Sequence, residues 1–417
     1  MASQIYFYTR TPIIPSGSGT NIRQYSNVRA YLDLDLPVKV IHIAPTSTDD
    51  TVILPVGADY VPLVVQVTPP RWTERLAYKI GFPFGLTLSV LYPDRQSILG
   101  AVLENESATP GAIHHFEYPS TANVSISLGG KGLNLVWSCH DWESDRNRKI
   151  TVMREEAGRQ KTALEKMRRL YYARQVEKRI ARACGLVLMI AEHETRIFRE
   201  ELGIHNAELL PTSWPDENVP AHTRAWAEGG ALRLLHLGSP DAMVGYYSLK
   251  FILSEVFPCL PESIRDCIEL WVAGKMGDTE YAHRVRQLAT PYPQVKFLGF
   301  VDDLSALYAQ SDIQLVGNAA ATGLRTRIVE SFLYGLPVLS VPSAADGVRG
   351  LDVGRNILLA DSPEAFADQI CRLVEDPSPL AGLAVAGRAL YNRLYARQVT
   401  AATLKGLLNR YFAHIQR

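Results

Sequence analysis

The sequence predicts an α/β protein built as two halves, each a parallel sheet covered on both faces by helices. Three observations carry this. Short apolar, β-branched runs alternate with helical patterns along the chain, which is how parallel sheets are written. The length, 417 residues, suits two or three domains at ~150 residues each, large enough to bury a core. One stretch interrupts the pattern: 211–230 holds Pro211, Pro215, Pro220 and the Gly229–Gly230 pair with little apolar periodicity, and a clear strand restarts at Leu232.

Taken in order, Ile5–Tyr8, Val38–Ile43, Val61–Val67 and Leu133–Ser138 read as strands of the first half. Leu232–Leu237, Ile268–Val272, Val295–Leu298, Ile313–Val316, Pro337–Val341 and Asn356–Leu359 read as strands of the second. Helical stretches lie between many of them, among them Tyr247–Val256, Thr279–Leu288, Arg325–Tyr334 and Pro363–Val374. No repeat of fixed period and no low-complexity segment is visible.

Composition excludes several classes. Hydrophobic residues are 47% and charged residues 21% of the chain, which argues against a disordered chain, a collagen or a coiled coil. Lys plus Arg equal Asp plus Glu at 43 each, so global charge gives no sign of a nucleic-acid partner. No apolar run approaches the ~20 residues that span a bilayer, and Met1–Arg10 does not read as a signal peptide. The five cysteines (Cys139, Cys184, Cys259, Cys267, Cys371) fit neither a CxxC nor a zinc pattern and read as reduced thiols of a cytosolic protein. Locally, 146–182 holds thirteen basic residues against four acidic ones. Ala163, Met167, Leu170, Tyr171 and Val176 give it a rough helical stripe. A solvated helical face reads this charge adequately; peripheral contact with an anionic membrane or a phosphorylated partner is the other reading. No nucleic-acid-binding motif accompanies it.

The most informative stretch is Gly317–Val341, GNAAATGLRTRIVESFLYGLPVLSV. Small residues and Gly323 precede a helix whose buried face is Ile328, Val329, Phe332 and Leu333. Gly335 stops it and Pro337 opens the next strand. Arg325 and Arg327 fall at its first turn, where free N–H groups and the helix dipole favour acids instead. A bound phosphate would reconcile them with that position. Glu330, one turn on, could accept from sugar hydroxyls. Read locally, arginines reaching surface acids and a Glu330 paired with one of them fit as well.

This stretch resembles the donor-binding segment of glycosyltransferase family 4, whose common variant reads roughly G-x-R-x-K-x-x-E-A-x-x-x-G-x-P-V-V-S. Gly323, Arg325, Arg327, Glu330, Gly335, Pro337, Val338 and Ser340 fall into it, with Arg327 in place of Lys. The resemblance extends to Leu234–Gly238, to Val295–Asp312, which in the family frames the nucleotide base, and to Asn356–Ile370. It is specific across 232–376 and looser before. It implies a GT-B fold: two Rossmann-like domains facing across a cleft. It implies an acceptor-binding domain at 1–215, a linker at 216–230, a nucleotide-sugar-binding domain at 231–395, and a last helical segment, 396–417, crossing back to the first domain.

The resemblance also implies a retaining, hexosyltransferase-type enzyme (EC 2.4). It would move a sugar from a UDP-, GDP- or dTDP-linked donor to a hydroxyl of a glycan, lipid-linked sugar or small molecule. No metal and no cofactor are implied. The place is the cytoplasm or the inner face of the cell membrane. Residue by residue, Gly17 and Gly19, in a glycine-rich turn that lacks the full dinucleotide fingerprint, would approach the donor. Gly238, Ser239, Lys275, Arg325, Arg327 and Glu330 would bind it. His140 and Asp141, after a strand end where α/β sheets bind ligands, would face the transferred sugar. His115 and Glu117, in a polar cluster after a short apolar turn, and Trp142 would contact the acceptor. Two departures are notable. Thr322 stands where many relatives have a first glutamate, and the loop Gly238–Gly245 lacks the usual Arg and Lys that grip the diphosphate. They fit a catalytically inactive nucleotide- or glycan-binding partner protein as the alternative; an epimerase or hydrolase on the same fold is a third reading.

Overall fold

The computed structural model describes residues 3–15, 19–44, 52–65, 71–73, 88, 91–142, 163–215, 219, 230–317 and 323–412. The chain divides into two compact units, 1–215 with 397–417, and 216–396. Each is built on one sheet.

Unit 1 has seven strands: β1 (Ile5–Thr9), β2 (Val38–Ala44), β3 (Ala58–Val64), β4 (Ile113–Glu117), β5 (Asn134–Cys139), β6 (Leu186–Met189) and β7 (Ala207–Leu209). Their order is β3-β2-β1-β4-β5-β6-β7, and every pairing is parallel. The central strands have both faces covered, as period-two alternation shows: Tyr6 and Tyr8 pack into one core with Phe116 and Trp137, Ile5 and Phe7 into the other with Val40, Tyr31 and Leu188. The flanking helices include α1 (Gly19–Leu32), α2 (Arg95–Ala108), the short α3 (Tyr118–Ala122), α4 (Ala163–Ala183) and α5 (Glu192–Glu200).

Three of these strands are absent from the sequence reading: β4, β6 and β7. The polar cluster after a short apolar turn is β4 itself, all five of its residues buried. The third strand begins at Ala58 rather than Val61 and is a largely exposed edge. On α4, Tyr172 and Val176 are buried while Tyr171, placed on the apolar stripe by pattern, is 57% exposed. The exposed positions there include Arg174, Arg179 and Arg182. The basic residues at 146–162 lie outside the described residues.

Unit 2 has six strands: β8 (Leu232–Leu237), β9 (Ile268–Ala273), β10 (Val295–Gly299), β11 (Ile313–Val316), β12 (Val338–Ser340) and β13 (Leu358–Leu359). The order is β10-β9-β8-β11-β12-β13, again all parallel. Its helices include α6 (Met243–Phe251), α7 (Glu280–Ala289), α8 (Leu304–Gln310), α9 (Thr326–Tyr334), α10 (Pro363–Glu375) and α11 (Pro379–Leu394). The helical stretch read at 247–256 is the end of α6 running into a π-helical turn, Ile252–Val256. Helix α9 ends at Gly335, whose left-handed conformation (φ 69°) lets the chain turn sharply into β12.

The final helix, α12 (Arg397–Tyr411), belongs to unit 1. Leu404, Leu407, Leu408 and Phe412 complete the core beneath β1. Arg397 holds Asp33 through two hydrogen bonds, 2.7 Å from Nε and 2.5 Å from Nη2, and Arg410 reaches Glu208 at 3.0 Å. Among the described residues no helix is long and apolar enough to cross a membrane.

Candidate active site

A parallel sheet binds ligands beyond the carboxyl ends of its strands, where the strand order reverses. In unit 2 that point lies between β8 and β11. Three segments converge there. The loop after β8 begins at Gly238, the loop after β9 at Gly274, and α9 starts at Thr326 behind the Gly323 turn. Gly274 has φ +149°, and a Cβ on it would lie 2.6 Å from the Gly238 carbonyl carbon and oxygen. Only glycine lets these loops approach so closely. Ser239 donates its hydroxyl to the Lys275 carbonyl at 2.6 Å. Asp241 accepts from the Gly277 N–H at 2.7 Å and the Thr279 hydroxyl at 2.9 Å, so the two loops are tied together.

Helix α9 enters this place with Arg325 at its N-cap position, no side-chain cap and no acid in its first turn. The Arg327 guanidinium lies against the β8 loop; its Nε would be 3.8 Å from a Cβ on Gly238. Gly238, Ser239, Gly274, Lys275 and Arg327 therefore form one neighbourhood, and Arg325 stands at the same helix end. His236, at the end of β8, is buried beneath them. Burial, and then the Arg327 charge, push its imidazole down to about 3, so it is neutral at ordinary pH. Glu330 is buried on α9 and accepts from the Tyr308 hydroxyl at 3.1 Å. Tyr308 is itself stacked on Tyr334, centroids 4.3 Å apart. Burial, then the Glu330 charge, drive the Tyr308 phenol far up, so it stays a donor. His236 and Tyr308 went unnoticed in the sequence because a lone histidine in an apolar strand and a tyrosine on a helix read as core. Thr322 lies outside the described residues.

In unit 1 the reversal lies between β1 and β4. Here the polar side chains bind one another. His115 on β4 bonds the Tyr31 hydroxyl through Nδ1 at 2.9 Å and Glu117 Oε1 through Nε2 at 3.0 Å. Asn27 donates to Glu117 Oε1 at 2.9 Å and to the Ser138 hydroxyl at 3.0 Å. The other carboxylate oxygen of Glu117 bonds His140 Nε2, just past β5. The His140 ring stacks on Tyr118, centroids 4.1 Å apart and 19° from parallel. Tyr118 sits at φ +62°, a conformation costing a non-glycine residue roughly 1–2 kcal/mol; its hydroxyl meets Thr20 at 2.6 Å.

Burial by itself would raise the Glu117 carboxyl. The electrostatic pull of the His140 ring and the hydrogen bonds from His115 and His140 outweigh it and hold the group far below the ordinary carboxylate range. Burial lowers His115, against the pull of Glu117. A neutral His115 satisfies both contacts by donating from Nε2 to the carboxylate and accepting at Nδ1 from Tyr31. Behind them Arg23 of α1 is fully buried and lowered to about 10 by burial, still a cation at neutral pH. Its Nη1 donates to the Leu210 and Pro211 carbonyls and the Thr212 hydroxyl at 2.6, 3.2 and 3.1 Å.

Two features of this cluster go beyond the sequence reading. His115 and Glu117 lie within a strand and are buried, bonding their neighbours. His140 takes its carboxylate from Glu117, 23 residues back. Asp141 and Trp142 follow it half-buried, with Trp142 packed edge-on to Phe198 at 6.2 Å. Gly19 opens α1; Gly17 lies outside the described residues. Among the described residues no group of three or more His, Cys, Asp or Glu is placed to hold a metal ion.

Comparison with known proteins bears on the same regions. The model of the family described as glycosyl transferases group 1 matches residues 233–376. The UDP-N-acetylglucosamine–N-acetylmuramyl-(pentapeptide) pyrophosphoryl-undecaprenol N-acetylglucosamine transferase of Cutibacterium acnes is 27% identical over 121 residues. That match spans 25% of this chain and 31% of that relative's length. Sucrose-phosphate synthase from Thermosynechococcus elongatus superposes with a TM-score of 0.70 at 16% identity, over 99% of this chain and 100% of that one. HepE of Anabaena, solved with UDP and glucose, gives 0.66 at 16% identity, over 98% and 100%. The match to the group 1 glycosyl transferases thus falls on the second unit, and the chain as a whole has two Rossmann-like sheets in the GT-B order of elements along nearly its whole length.

Proposed function

We propose that this protein transfers a sugar from a nucleotide-sugar donor to an acceptor hydroxyl, with retained anomeric configuration and without a metal ion. The observation that carries the reading is the uncapped N-terminus of α9, with Arg325 and Arg327 at it, beside the tied loops at Gly238 and Gly274. Breaking the sugar–phosphate bond builds positive charge on the ring and negative charge on the departing diphosphate. Arg325, Arg327 and the free N–H groups of α9 stabilise the second charge, taking the place of the Arg and Lys missing from the β8 loop. Glu330, oriented by Tyr308, receives the ribose hydroxyls. His140 faces the transferred sugar. The donor is UDP-linked, as the UDP bound to HepE suggests; GDP and dTDP are the bases to test against it. The acceptor is a glycan or a lipid-linked sugar. The exposed arginines of α4 suit peripheral contact with an anionic membrane surface on the cytoplasmic side.

Calorimetric binding of UDP, GDP, dTDP and ADP, repeated with Arg325→Ala and Glu330→Ala, tests this. One diphosphate binding in the micromolar range, weakened by both changes, is expected. Binding of none would favour a partner protein that has lost the donor site.

A further inference from the structure

We propose that Glu117 is the positioning residue of His140, fixing its proton on Nε2 so that Nδ1 is the atom presented to the transferred sugar. The proposal rests on the transferase reading for its chemistry, but on the geometry of unit 1 for its structure.

Five observations support it. Glu117 is 1% exposed and His140 5%, so the contact between them is made out of water, where a carboxylate–imidazole bond is strong and directional. The carboxylate is oriented by Asn27 of α1 and by His115 of its own strand, and His115 is oriented in turn by Tyr31. The register of β4 on β5 pairs Glu117 with Ser138, which brings it beside the chain just before His140. Tyr118 covers one face of the imidazole, and a left-handed backbone at a tyrosine is maintained only where the surroundings enforce it. Among the described residues nothing bonds His140 Nδ1.

A ring held this way has one role for each nitrogen. Nε2–H donates to the buried carboxylate, and the lone pair of Nδ1 is left to accept from a hydroxyl of the sugar. As positive charge grows on the sugar ring, the carboxylate behind the imidazole lets His140 polarise towards it without turning. Glu117 touches no substrate; it acts through His140.

The test joins a spectroscopic readout to a kinetic one. In the full-length protein, the imidazole nitrogens of His140 are observed by ¹⁵N-edited NMR. In the wild type the neutral ring is expected to show Nε2 bearing the proton and Nδ1 bare; in Glu117→Gln it becomes a mixture of tautomers. Glu117→Asp, which keeps the charge but draws it back from the ring, gives the same reading if Gln unfolds unit 1. Kinetically, Glu117→Gln is expected to lower kcat on the order of 10²-fold while leaving the acceptor KM nearly unchanged. In a His140→Ala background it should cost nothing further. A proton on Nδ1 in the wild type, or a Glu117→Gln loss that adds in full to that of His140→Ala, overturns the proposal. A raised acceptor KM with unchanged kcat does so too, since it would make Glu117 an acceptor contact. Because the NMR arm needs no turnover, an inactive wild type would count against the transferase reading alone.

Discussion

At the β1/β4 boundary of unit 1, the polar side chains bond one another: Tyr31, His115, Asn27, Glu117 and His140 form one connected set, with Arg23 behind it. At the corresponding β8/β11 boundary of unit 2, the loops bond one another through backbone and Asp241, and the cations stand at a helix end without a cap. The first arrangement fixes one side chain within tight limits. The second offers charge and N–H groups to a ligand that brings its own negative charge. Two sheets of the same kind thus prepare the same place differently: one fixes an imidazole, and the other presents the cations to which the proposed function assigns the diphosphate.

Four substitutions can break or sharpen that contrast. The largest effect is expected from Arg23→Met, which leaves the Leu210 and Pro211 carbonyls without their donor and removes the cation that interacts with Glu117. Unit 1 should lose about 2–3 kcal/mol for the buried acceptors left unpaired, read as faster amide exchange across 113–117 with 313–316 unchanged. An equal loss in both units would mean the network is not local. Second is the pH response of unit 2. His236 has its folded value depressed from 6.5 to about 3, so between those values the unfolded chain binds a proton that the folded one does not. Stability therefore rises with pH up to about 6.5 and is flat above. It falls by about 1.4 kcal/mol per unit on acidification below 6.5. A urea midpoint series should show this slope for 232–237 and lose it in His236→Gln.

Third, Gly274→Ala places a methyl group against the Gly238 carbonyl and should weaken nucleotide binding roughly tenfold, about 1.4 kcal/mol, without touching unit 1 exchange rates. Unchanged affinity would show that the loops do not shape the donor site. The smallest expected effect is that of Tyr308→Phe, which removes one hydrogen bond to Glu330. About 1 kcal/mol, a fewfold rise in the nucleotide Kd by calorimetry, is anticipated if Glu330 holds the ribose.

The strands that could be read from sequence were those written in apolar, β-branched residues, such as Val38–Ala44 and Leu232–Leu237. Ile113–Glu117 escaped because three of its five residues are His, His and Glu. Hydropathy gives each a cost of burial, and only the three-dimensional partners show the cost to be offset. The same limit explains the carboxylate of His140. It comes from Glu117 on the neighbouring strand, and no local pattern around His140 points to it. The arginines of α9 were legible for the opposite reason: a charge that conflicts with a helix dipole is a local contradiction, visible without any long-range contact.

The return of α12 to the first sheet has a consequence for how the protein is made. Phe412 and Leu404 are translated long after Phe7 and Tyr31, yet they fill the same core. The whole second unit is inserted between them. On the ribosome, residues 216–396 can reach their native contacts while the earlier-made sheet still has an open apolar face. Unit 1, whose strands emerge before unit 2, therefore finishes folding after it. Emergence of α12, rather than of the unit's own strands, sets the moment at which that face is closed to chaperones and proteases.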